Sequence, residues 1–314
     1  MSLRALLLAL STRPQIGAWM DRLPVTRRFV RRFVAGTTPD EALAVIADLN
    51  ARGLQGAVTC LGENVRTPAE AEHAAAVYVD LLGEIERRKL RALPSLKLTH
   101  LGLDLGEAVC AAGLTRVLEQ GRATGNRVWI DMESSAYTER TLDLYARLRP
   151  RYEHVACVVQ AYLRRTPADI EGLIRLGATV RLCKGAYREP PGLAFPDKRD
   201  VDRAYAQLTK RLLAPDALAQ GVYTGFATHD EGLIAHARRR AGERGIDVSR
   251  FEIQMLYGIR PDLPGALRAQ GLTVRVLVPY GEDWYGYFMR RLAERPANLL
   301  FLLRNLRRGR GSPI

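Results

Sequence analysis

Tyr287, Arg290, Arg291 and Glu294 stand at i, i+3, i+4 and i+7 in the last part of a 314-residue chain. On a helix that spacing puts all four on one face. Two adjacent guanidiniums, with a tyrosine one turn before them, form a planar clamp for a carboxylate. The flanks Phe288, Leu292 and 299–303 are strongly apolar, which argues against a merely solvated basic face. Other reactive side chains close short apolar runs. Ser95 and Lys97 close one run, and Asp131 and Glu133 the next. Gln160, then Arg181 with Lys184, then Thr228 with His229, then Gln254 with Leu256 close four more. A charged side chain in such a place needs a partner or a ligand. At any single position a structural ion pair explains it equally well. Six runs sharing the pattern point to one common site. Only five of the 47 basic residues are lysines, and Lys97 and Lys184 both sit at such ends. A compact ammonium with an adjustable pKa is one reason to keep a lysine there.

The elements that must position these residues alternate regularly. β-rich apolar runs occur near 56–60, 92–98, 127–132, 154–160, 178–183, 222–228, 251–256 and 273–279. Segments of helical periodicity lie between and after them, at about 67–90, 107–124, 136–149, 166–176, 199–214, 229–245, 261–270 and 283–306. Thr37-Thr38-Pro39-Asp40-Glu41, Thr67-Pro68-Ala69-Glu70 and Thr166-Pro167-Ala168-Asp169 read as helix starts. Gly245 and Gly271 read as helix ends. Eight strands alternating with eight helices over about 250 residues is the count of a (βα)8 TIM barrel. The alternative is a doubly wound open sheet, which normally carries GxGxxG after an early strand. Neither that motif nor GxxxxGK[ST] occurs, which favours the barrel. Active residues then belong at the C-terminal strand ends and the loops after them.

With 47% hydrophobic residues, wholesale disorder is excluded. No run approaches the roughly 18–20 apolar residues of a membrane-spanning helix. The net charge of +13 suggests nucleic acid until it is mapped. Ten of those charges fall in 1–36 and 302–314, leaving the body nearly balanced. A basic groove for nucleic acid is therefore not expected. Basic, partly apolar ends suit solvated tails, a membrane surface or an acidic partner. Cys60, Cys110, Cys157 and Cys183 are widely spaced and read as small hydrophobes in a reducing compartment. The five histidines show no metal-ligand spacing, so no metal is expected. The expected organisation is a helical basic extension over 1–36, a barrel over 37–306 and a basic tail over 307–314.

The runs Arg181-Leu182-Cys183-Lys184-Gly185-Ala186-Tyr187-Arg188-Glu189 and Tyr287-Phe288-Met289-Arg290-Arg291-Leu292-Ala293-Glu294 resemble the proline dehydrogenase family. Ser95-Leu96-Lys97, Ile130-Asp131-Met132-Glu133, Phe226-Ala227-Thr228-His229 and Gln254-Met255-Leu256-Tyr257-Gly258 agree with it, in order, across about 37–306. The length is similar to the bacterial monofunctional form. The resemblance implies a distorted (βα)8 barrel whose last helix lies over its mouth. It implies FAD-dependent oxidation of L-proline to Δ1-pyrroline-5-carboxylate, the first step of proline catabolism to glutamate, with electrons passing to membrane quinone. It implies that Lys97, Arg290 and Arg291 hold the proline carboxylate, with Asp131 beside them. Tyr187, Leu256 and Tyr287 would pack the pyrrolidine ring. Gln160, Arg181, Lys184, Gly185, Ala186, Thr228, His229, Gln254 and Glu294 would contact FAD. Glu63 would pair with Arg290 as a gate. A separate pyrroline-5-carboxylate dehydrogenase becomes a possible partner, and a cytoplasmic enzyme touching the inner face of the membrane the expected setting. The family usually has tyrosine where this chain has Leu277, which opens 4-hydroxyproline as an alternative substrate.

Two readings from other classes compete. In a Schiff-base lyase, Lys97 or Lys184 would be the nucleophile at a barrel strand end. In a non-catalytic basic protein, the charged ends would bind nucleic acid or membrane.

Overall fold

The structure, a computed structural model, describes residues 30–294, and of 293 and 294 the backbone alone. Most of the extension expected over 1–36, the tail 307–314 and the final turns expected to 306 lie outside the described residues. Eight parallel strands form a closed barrel. They are β1 (Gln55–Cys60), β2 (Ala92–Leu96), β3 (Val128–Ile130), β4 (Val155–Gln160), β5 (Thr179–Cys183), β6 (Tyr223–Ala227), β7 (Phe251–Leu256) and β8 (Val274–Tyr280). Each pairs with its sequence neighbour, and β8 closes on β1 through Ala57↔Leu277 and the positions around it. The expected (βα)8 architecture is therefore present.

The first helix given in full by the described residues, α1 (Pro39–Ala51), precedes β1. The layer outside the strands continues with α2 (Pro68–Arg87), α3 (Glu107–Ala123), α4 (Ser135–Leu148) and α5 (Thr166–Arg175). It ends with α6 (Lys198–Leu212), the short α7 (Pro215–Ala219), α8 (Glu231–Gly242), α9 (Leu263–Ala269) and α10 (Trp284–Glu294). The sequence pattern did not announce α7 or the 3-10 turn Val248–Arg250. Local chemistry sets several helix starts. Thr38 and Thr67 accept from the backbone of Glu41 and Glu70, whose carboxylates reach back to the cap amides. Each such cap contributes about 1 kcal/mol. Thr166 departs from expectation: its hydroxyl donates to the Gln160 carbonyl at 2.6 Å and caps nothing.

Strand alternation sorts the side chains into two shells. Outward residues such as Val155, Cys157 and Val159 join the large apolar layer beneath the helices. Inward residues Ala57, Leu93, Trp129, Ala156 and Val158 form a smaller apolar cluster inside the barrel. The inward shell also carries polar side chains, with Ser95, Arg181, Gln254, Glu252 and Arg275 all buried. At the mouth, Trp284, Phe288, Met289 and Leu292 of α10 pack with Leu61, Ile259 and the segment Val30, Phe33 and Val34. This cluster holds α10 across the barrel's C-terminal end.

Candidate active site

The mouth encloses a cavity of about 590 Å³. Lys97, Asp131, Tyr187, Leu256, Tyr287, Arg290 and Arg291 all line it. So do Gln160, Arg181, Lys184, Gly185, Ala186, Thr228, His229 and Gln254. Fifteen of the seventeen residues singled out in the sequence thus meet in one space. Glu63 reaches it through ion pairs, and the Glu294 side chain lies outside the described residues.

Strand parity explains the convergence. Arg181 on β5 and Gln254 on β7 point inward, and Lys97 and Asp131 follow directly on the ends of β2 and β3. Helix α10 supplies Tyr287, Arg290 and Arg291 from above. The guanidinium of Arg291 lies 5.2 Å from the centre of the Tyr287 ring, and that of Arg290 lies 5.9 Å from Tyr187. These cation–π contacts hold the clamp while leaving guanidinium edges for an anion.

Glu63, on the loop after β1, bridges two cations. Lys97 Nζ donates to its Oε2 at 2.7 Å, and Arg290 Nη1 to its Oε1 at 3.3 Å. The expected pairing with Arg290 is present, with Lys97 as a second and closer partner. Burial would raise the Glu63 carboxyl, but the charges of Lys97 and Arg290 outweigh it and hold it down to about 2. Beneath the loop, burial and the nearby Lys97 lower His100 to about 4. Gly62 lies directly against the His100 ring, where any Cβ would clash.

Asp131 pairs elsewhere than with the clamp. It accepts from Arg181 Nη1 at 2.7 Å and from Ser95 Oγ at 2.7 Å. The Arg181 guanidinium sits 4.6 Å from the centre of the Trp129 ring, and its Nε donates to Gln254 Oε1. Its Nη2 is buried and has no hydrogen-bond partner. Lys184 Nζ donates to Asp202 at 2.6 Å and Asp230 at 2.9 Å. His229 Nε2 accepts from the Leu256 amide at 3.0 Å, which assigns its other nitrogen as the protonated one. Gly185 has φ +116, and a Cβ there would lie 2.2 Å from the Tyr162 ring, so only glycine fits. Cys183, expected as a buried hydrophobe, lines the cavity instead, whereas Cys110 and Cys157 are buried as expected.

Sequence reading missed Glu252 and Arg275. Both are buried inside the barrel and joined at 2.8 Å. The available signal was a charged residue two positions before Gln254 in an apolar strand, on the same inward parity.

The proline dehydrogenase family matches residues 42–304. Proline dehydrogenase 1 of Bacillus subtilis is 41% identical over 281 residues, covering 90% of this chain and 91% of that protein. Proline dehydrogenase of Deinococcus radiodurans is 36% identical over 313 residues, 98% of each chain. Among solved structures, proline utilization A from Bdellovibrio bacteriovorus, inactivated by N-propargylglycine, superposes with TM-score 0.79 at 25% identity. That match covers 86% of this chain but only 33% of the solved one, so this chain spans about a third of its length. With a family match across most of its length and relatives this similar, the chain belongs to the proline dehydrogenase family.

Proposed function

We propose that this chain oxidises L-proline to Δ1-pyrroline-5-carboxylate with FAD, and that the electrons pass on to membrane quinone. The observation that carries the proposal is the joining of two unlike ends in one cavity. One end is a carboxylate clamp of Arg290, Arg291 and Lys97; the other is a polar floor built on Arg181 and Gln254. The floor fits a flavin. Arg181 lines the cavity, and its buried Nη2 lacks a hydrogen-bond partner, which leaves the guanidinium a donor to spare for a cofactor. Gln160, Arg181, Gln254, Thr228, His229, Lys184 and the Gly185–Ala186 backbone would hold FAD. When bound, FAD supplies the two-electron acceptor for the hydride that leaves the ring carbon beside nitrogen.

The chain's own residues do the rest. Arg290, Arg291 and Lys97 bind the proline carboxylate and so fix the ring. Tyr187, Leu256 and Tyr287 pack against its apolar carbons. The same cations lower the pKa of the substrate amine by like-charge repulsion and favour the neutral form that can release a hydride. Glu63 joins Lys97 to Arg290 and closes the mouth against water. Lys97 and Lys184 are both ion-paired with carboxylates, unlike the apolar or cationic surroundings that free a nucleophilic amine. The Schiff-base reading is therefore not favoured. Leu277 lines the cavity and offers no polar partner to a 4-hydroxyl, which favours proline as substrate.

Turnover of L-proline with a soluble quinone analogue tests the reaction: Δ1-pyrroline-5-carboxylate should accumulate, and a flavin-loaded protein that makes none would refute it. For quinone access, the arginine-rich segments 1–36 and 304–310 would assist contact with an anionic membrane. Flotation with anionic vesicles should weaken when those arginines are replaced by glutamine. Unchanged binding would remove that role. No helix among the described residues is long and apolar enough to cross a membrane.

A further inference from the structure

We propose that Glu252, seated on Arg275, is a positioning residue that anchors the donor end of the Gln254 amide, and through it steadies how Arg181 presents its guanidinium to the cavity. The proposal rests on the reading of the cavity floor as the flavin site.

Glu252 and Gln254 are two residues apart on β7 and share the inward face. Only 2% of the Glu252 surface is exposed. Such a carboxylate persists only if paired. Arg275 supplies the pair from β8, with Nε on one Glu252 oxygen at 2.8 Å and Nη2 on the other at 2.9 Å. Arg275 is itself anchored by its Nη1 on the Gly56 carbonyl at 2.8 Å. The Tyr223 hydroxyl adds a further donor to Glu252 at 3.2 Å. Among these donors the carboxyl stays ionised, although burial alone would push it the other way.

An ionised carboxylate only accepts hydrogen bonds. The Gln254 Nε2 that faces it must therefore be the amide's donor end, as found. The amide's oxygen is thereby turned to Arg181 Nε. An amide is nearly the same shape when flipped, so packing cannot choose between its two ends. Two neighbours make the choice together: Glu252, which can only accept, and Arg181 Nε, which can only donate. Arg181 is then held on three sides, by Gln254, by Asp131 with Ser95, and by the Trp129 ring, and its Nη2 is left over. The neighbouring strand keeps room for this arrangement. A Cβ on Gly225 of β6 would lie 2.4 Å from Gln254 Nε2.

Two substitutions test the chain of contacts without touching the carboxylate clamp. Glu252→Gln keeps shape and removes the charge, so only Arg181 Nε is left to orient the Gln254 amide. Gly225→Ala leaves every charge in place and displaces the Gln254 amide directly. Both should still fold cooperatively, with a lower melting temperature for Glu252→Gln because buried Arg275 loses its counter-charge. Both should shift the visible absorption bands of bound FAD and move its reduction midpoint to more negative potential. Both should lower kcat about 10- to 100-fold, the usual cost of losing a supporting partner. KM for proline should change far less, because Arg290, Arg291 and Lys97 are untouched. Folded variants with wild-type flavin spectrum, midpoint and kcat would overturn the proposal. So would a loss confined to the melting temperature. If Glu252→Gln fails to fold, Glu252→Asp, which keeps the charge and shortens its reach to the Gln254 amide, decides by the same spectrum. A wild-type protein that takes up no FAD would instead refute the flavin reading, and the two failures are thereby separate.

Discussion

Each arginine of the clamp has a separate consequence. Arg291 is buried beside Tyr287 and cannot be replaced by water without rearrangement. Arg291→Met should raise KM for proline by about 10²-fold, the scale of a lost buried charge contact, while FAD stays bound. Saturation kinetics with a flavin absorbance ratio check both halves. Glu63 is held at about 2, so it stays ionised through the working range and gives the pH–rate profile no limb there. His100 behaves oppositely in its effect on stability. Its folded value of about 4 lies below the ordinary 6.5, so the unfolded chain binds the proton first as pH falls. Its contribution is intact above pH 6.5 and is lost progressively down to 4, by up to about 3 kcal/mol. Denaturant midpoints measured across that window should fall less steeply for His100→Gln than for the wild type. Equal slopes would remove His100 as a source of acid sensitivity.

Among the elements, the connection from β5 to α6 brings consecutive residues to the cavity, Gly185, Ala186 and Tyr187 among them. Its anchor is Glu189, which accepts from the Ser135 amide at 2.7 Å and from the Ser135 hydroxyl. That contact places a carboxylate at the N-terminus of α4, where the exposed amides and the helix dipole favour one. Glu189→Ala should release the loop and raise KM for proline roughly fivefold, matching about 1 kcal/mol for a lost cap. Glu189→Gln, which still offers an acceptor oxygen, should restore most of it. The elements themselves were largely legible in the sequence, because their signals are local. The Thr67–Glu70 capping box and the apolar strand runs each declare themselves within a few residues. Thr166 shows the limit, since its hydroxyl has a choice of acceptors and takes the Gln160 carbonyl.

At the scale of the whole molecule, the barrel makes one site from residues far apart in the chain. Arg181 meets a partner 73 positions away, and Arg290 one 227 away. A resemblance spread over several strand ends could locate these residues at the mouth. It could not say which carboxylate each cation takes. The resemblance sets Asp131 beside the clamp, whereas it pairs with Arg181, and Lys97 shares Glu63 with Arg290. Those choices depend on register and tilt around the closed sheet. Glu252 and Arg275 escaped notice for the same reason, because neither makes sense until β7 and β8 lie side by side. The central claim is that the clamp and the polar floor present proline to a flavin within one cavity. Its most direct test is the visible absorption spectrum of the purified, FAD-loaded protein before and after anaerobic addition of L-proline. Flavin bands that bleach with proline are the predicted result; a protein that binds FAD yet keeps its bands unchanged with proline would contradict the account.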